Sequence, residues 1–158
     1  MVRFRIMKSL LLNKELEEKV LRSLNMYVMF PIMKVHFILY VKDQEQSKQF
    51  YSAVLAQEPI LHVPGMTEFE LNNGCVLGLM PERGIKRLLG ECLPDPEPGR
   101  GIPRAELYLR IDNPSVYHDR ALKMGAKELS ALESRDWGDI AAYSIDQDGH
   151  VIAFAKTL

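Results

Sequence analysis

A chain of 158 residues can form one domain with its own core, since domains commonly run about 100–150 residues. Hydrophobic residues at 47% and charged residues at 26% exclude a disordered chain and a membrane-embedded one. A net charge of -1, with no long run of Lys or Arg, removes the electrostatic footprint of a nucleic-acid or anionic-membrane binder. A small molecule is the expected partner.

The first residues carry basic side chains, but their apolar run is shorter than the roughly 7–15 residues of an export-signal core, and acidic residues follow. Over residues 10–24, Leu12, Leu16, Val20, Leu21 and Leu24 form one helical stripe behind the cap candidate Asn13. Residues 1–33 thus read as an extension with a short amphipathic helix. It is either a docking element or an upstream segment whose true translation start is Met33, the second being preferred. The apolar stretch Met26 to Met33 is interrupted by Pro31 and falls far short of the ~20 residues that span a bilayer. Only two cysteines occur, Cys75 and Cys92, so a disulfide framework is not expected and reduced thiols in the cytoplasm are.

From Lys34 the pattern becomes a strand, Val35 to Val41, ended by Lys42 and the helix cap Asp43. A helix of about three turns follows, with Phe50, Val54 and Leu55 on one side. Three short apolar runs then read as strands: Pro59–Val63, Met66–Leu71 and Cys75–Met80, divided by Pro64-Gly65 and by Asn72-Asn73-Gly74. Residues 81–103 are rich in Pro and Gly, a composition that argues against a helix or central strand and for a linker or lid. The order then repeats. A strand at Ala105–Ile111, a helix capped at Asn113, and strands near Glu128–Leu132, Ile140–Ile145 and Val151–Ala155 complete it. His36–Val41 lies over Glu106–Ile111, and Asn73–Leu77 over Asp148–Ile152, so the domain at 34–158 divides into module 1 at 34–82, a linker or lid at 83–103, and module 2 at 104–158.

A first strand opening with His36, the helix text Phe50 to Leu55, Arg135-Asp136-Trp137-Gly138 before a strand, and Asp146-Gln147-Asp148-Gly149-His150 occur in this order. Together they resemble the vicinal-oxygen-chelate superfamily of glyoxalases, bleomycin-resistance proteins and extradiol dioxygenases. That resemblance implies an α+β fold, two βαβββ modules whose mixed sheet curls around a ligand cup, and frequently a homodimer. It also implies a divalent metal held by side chains of the first and fourth strands of each module. His36 and Glu106 occupy the first-strand positions, and both are competent ligands for Zn²⁺, Ni²⁺, Mn²⁺ or Fe²⁺. The last-strand positions fall on Gly78 and Ala153, which offer no donor. The metal site is therefore expected to be incomplete, with at most weak divalent binding and no tightly held cofactor.

Glu106 is the candidate catalytic base, because an acidic residue in an apolar strand needs a partner or a task. His36, Tyr108, Arg135, Trp137 and Tyr143 are the candidate ligand contacts, Trp137 being the single Trp and a large flat surface. Each has a plainer reading as core, lid or surface pair. Asp148-Gly149-His150 reads as turn chemistry. Two functions compete: a metal-independent small-molecule binder, which the missing donors favour, and a glyoxalase-like lyase, isomerase or dioxygenase using His36 and Glu106. Whether the chain is an enzyme stays open.

Overall fold

The structure is a computed structural model that describes residues 34–158 and, before them, only the helical Lys19. The helix expected over residues 10–24 otherwise lies outside the described residues. Val35–Leu158 form one unit.

Strand β1 (Val35–Val41) alternates between two environments, as a strand with one packed face must: Leu39 and Val41 are buried, while His36 and Tyr40 are exposed. Asp43 starts helix α1 (Gln44–Leu55) as expected, its carboxylate accepting from the Gln46 N–H at 2.9 Å. Strands β2 (Leu61–Val63), β3 (Met66–Asn72) and β4 (Cys75–Pro81) follow. The four strands form one sheet in the order β1-β4-β3-β2, with β1 parallel to β4 and the other pairs antiparallel. Beyond the linker come β5 (Glu106–Arg110), a second long helix (Pro114–Lys123), β6 (Lys127–Ser134), β7 (Asp139–Ile145) and β8 (Val151–Thr157). These strands pair in the matching order β5-β8-β7-β6. The fold is α+β, two βαβββ modules. The sequence repeat holds in register, since His36 lies opposite Val76 and Glu106 opposite Val151.

Three local features differ from the sequence reading. The two sheets share no ladder among the described residues, so the curled surface consists of two separate four-stranded sheets. Residues 82–89, expected to be irregular, form helix α2 (Glu82–Leu89), which makes the helix of module 2 α3. The breakers fall where they do little harm: Pro81 precedes the first turn, whose N–H groups need no intrahelical partner, and Gly90 ends the helix. Asn113 makes no side-chain cap bond; its backbone carbonyl accepts the Val116 N–H at 3.1 Å, and Pro114 fills the first helical position.

A single core joins the modules. Leu39, Val41, Phe50, Val54, Phe69, Leu77 and Leu79 from module 1 pack with Ala121, Ile152 and Phe154 from module 2. Each large apolar side chain so buried contributes about 1.5–3 kcal/mol. Polar bonds reinforce the seam: Asp148 in the β7–β8 turn accepts the Lys42 N–H at 3.0 Å and the Ser47 hydroxyl at 3.1 Å, and Asp146 accepts the Tyr51 hydroxyl at 2.8 Å. The linker crosses the same turn. Gly101 N–H donates to the Asp148 carbonyl, and a Cβ on Gly149 would stand 2.7 Å from the Gly101 Cα, so Gly149 must lack a side chain, while Gly101 is favoured by its positive φ of 73°. No helix among the described residues is long and apolar enough to cross a membrane.

Candidate functional site

In module 2, period-two alternation puts Glu106, Tyr108 and Arg110 on one face of β5. Register then sets Tyr108 opposite Ala153 on β8, and Ala153 opposite Tyr143 on β7. At the start of β7 sits Asp139, 1% exposed. Its Oδ2 accepts the Tyr108 hydroxyl at 2.7 Å and the Arg110 guanidinium at 3.1 Å, while Trp137 Nε1 donates to the Tyr108 oxygen at 3.1 Å. The Tyr108 bond, with help from Arg110, holds the Asp139 carboxyl below its ordinary range. Burial, backed by Asp139, raises the Tyr108 phenol. Arg135 lies over the Tyr143 ring at 5.1 Å and donates to Glu133, Ser130 and the Ala141 carbonyl, not to its neighbour Asp136. Tyr143 is itself raised by burial and then by the negative charge of Glu106. Glu106, Tyr108, Arg135, Trp137 and Tyr143 therefore belong to one surface. Asp139, which orders it, escaped the sequence reading.

Module 1 presents a different face. His36 Nδ1 stands 3.5 Å from Glu68 Oε1 on β3, a partner the sequence reading did not name. Glu68 is opposite Gly78, and Gly78 is opposite Ile38. A Cβ at Gly78 would overlap the Ile38 Cδ1. The slot for a last-strand metal donor is thus filled by a neighbouring aliphatic side chain, and its counterpart Ala153 is fully buried between the strands bearing Tyr108 and Tyr143. These residues do not fit the four-strand metal site that the resemblance implies.

Between the edge strands β1 and β5 runs a groove of about 690 Å³. Phe37, Leu39, Leu55, Leu107, Leu109 and Tyr117 supply much of its wall. The groove wraps the edge of β5, so Glu106, Tyr108 and Arg110 border it as well, with Glu70 from β3. His36, Arg135, Trp137 and Tyr143 do not line it. The wall is apolar because β1 and β5 turn their core-facing side chains toward the seam, where no strand among the described residues pairs with either outer edge.

Asp146, Asp148 and His150, read in sequence as a turn, place potential metal-binding atoms within 4.8 Å of one another. Their oxygens already have donors. Asp146 Oδ1 accepts the Asp148 and His150 N–H groups, and its Oδ2 accepts Tyr51 and lies 3.0 Å from His150 Nδ1. Asp148 is taken by Lys42 and Ser47. A cation would have to displace bonds that hold the modules together, so the cluster is a structural joint. Burial opposes ionisation of Asp146, yet His150 and Tyr51 bring its carboxyl below the ordinary value. Burial likewise disfavours a charged His150, but the Asp146 bond and charge raise it overall. Asp148 is raised by burial and by the nearby Asp146 charge.

A family model described as Glyoxalase/Bleomycin resistance protein/Dioxygenase superfamily matches residues 35–154. No curated protein matches the chain. Among solved structures, a glyoxalase-related enzyme from Fulvimarina pelagi is similar with a TM-score of 0.66 and 20% identity, over 78% of this chain and 86% of the other. A glyoxalase/bleomycin resistance protein/dioxygenase from Nocardioides has a TM-score of 0.65 and 18% identity, over 89% of this chain and 93% of the other. A protein of unknown function from Agrobacterium tumefaciens has a TM-score of 0.66 and 20% identity, over 83% and 99%. At such identities the likeness is one of fold.

Proposed function

Because the chain belongs to the Glyoxalase/Bleomycin resistance protein/Dioxygenase superfamily, we propose that it binds a small molecule between its two modules without a tightly held metal ion. The intermodule groove of about 690 Å³ carries this reading, since ligand pockets commonly occupy about 300–1,000 Å³ and combine apolar walls with a few polar groups. Tyr108 and Glu106 border the ligand directly. Trp137 acts through its bond to the Tyr108 oxygen, and Arg135 by fixing the Tyr143 ring. His36 stands outside the groove as an accessory polar group of module 1. The same reading takes the protein as cytoplasmic, with support from the two free thiols, and as a homodimer, as the family frequently is.

The test is metal content after purification without chelator, followed by titration with Ni²⁺, Zn²⁺, Mn²⁺ and Fe²⁺. The expected result is no stoichiometric metal and weak, unselective binding. Tight stoichiometric metal lost on His36→Ala or Glu106→Ala overturns the reading. It would favour a metal-assisted lyase, isomerase or dioxygenase with Glu106 as base. One observation gives that second reading weight: Glu68 lies close enough to His36 to add a donor the sequence did not offer.

A further inference from the structure

We infer that the intermodule groove selects an apolar or aromatic molecule carrying one positive charge, a hydrophobic amine, which rests on the groove being the ligand site. Three charged side chains besides His150 border the groove: Glu70, Glu106 and Arg110. Arg110 has its charge opposed by Asp139, whose buried Oδ2 takes its guanidinium at 3.1 Å. His150 is opposed in the same way by Asp146 at 3.0 Å. Glu70 and Glu106 have no cationic partner among the described residues, and both are exposed at the rim. Among the described residues the groove therefore presents two carboxylates without a cationic partner around Phe37, Leu39, Leu107 and Leu109. A neutral ligand gains only the apolar contact. An anion meets repulsion from both carboxylates, with an Arg110 already engaged. An ammonium on an apolar body gains both terms, the charge term being modest and salt-sensitive because both carboxylates are exposed. The aromatic rings of Phe37 and Tyr117 add faces suited to a cation or an aromatic body.

The experiment compares phenylbutylamine, phenylbutanol and phenylbutyrate, three probes with one apolar body and different charge, on the full chain at low ionic strength. Binding is followed by amide chemical shifts, which also report position. The amine is expected to bind about tenfold more tightly than the acid, with shifts at Leu107 and Leu109 and a loss of preference as salt is added. At least one of Glu70→Gln and Glu106→Gln should weaken the amine several-fold and leave the alcohol unchanged. Equal or tighter binding of phenylbutyrate overturns the inference while sparing the groove as a ligand site. So does an amine affinity that survives the double variant. If none of the three shifts residues of the groove, the underlying reading of the groove falls, and this inference with it.

Discussion

At Gly78, the side chain of the neighbouring strand decides what the position can hold. Ile38 Cδ1 occupies the place a Cβ would take, so Gly78→Ala should destabilise the protein by about 1 kcal/mol, the low end of overpacking, because a terminal methyl can turn away. Ile38→Val removes that methyl and should recover the loss, as read from denaturant midpoints. Gly78→His by itself is then not expected to build a metal site. On the module 2 face, Tyr108→Phe takes away both the acceptor for Trp137 Nε1 and a donor to Asp139. Since Trp137 is the single Trp, its emission should move to longer wavelength, and an unchanged spectrum would show that the bond does not order the ring. Individual contacts of this kind were only partly readable in the chain. Alternation marked Tyr108 and Tyr143 without choosing between cup and core, linking either to Asp139 requires the β5-β8-β7 order, and finding Glu68 beside His36 requires the β3–β4 register.

Among the elements, strands and the capped helix α1 follow from local chemistry, and their bounds agree with the sequence to within about two residues. Helix α2 does not, because the helix is secured from outside. Ile85 is 7% exposed, packed inward, and Glu82 receives Arg100 from farther along the linker. Composition could not reveal a partner eighteen residues away. Arg100 also holds Glu97, so this one side chain ties two parts of the segment between the modules. Arg100→Ala should release that segment, and limited proteolysis is expected to cut within residues 90–103 several-fold faster than in the parent chain while the two sheets persist. Unchanged cutting would mean that the backbone crossing at Gly101 and Gly149 suffices.

For the molecule as a whole, the joint at Asp146, Asp148 and His150 ties stability to pH. His150 is raised in the folded state, so its contribution is fully present below its unfolded value near about 6.5 and is lost as pH rises through the higher folded value. Asp146 is lowered, so its contribution is present above the ordinary carboxylate range and is lost as pH falls through the folded value. Asp148, raised, opposes it in that acidic range. Thermal midpoints should accordingly decline as pH rises above about 6.5, and His150→Gln should flatten that decline. A variant that keeps the slope would assign it elsewhere.

Each sheet also draws all of its strands from one side of the linker. A break in the exposed stretch between Leu93 and Pro96 would sever no strand ladder, and the halves would still meet through Leu39, Val41, Ile152 and Phe154. Two polypeptides made separately, ending and beginning there, should recombine into a one-to-one complex that elutes with the parent chain. The module repeat is then a genetic unit as well as a geometric one: half of this protein can be exchanged, duplicated or evolved while the other half keeps its own pairing.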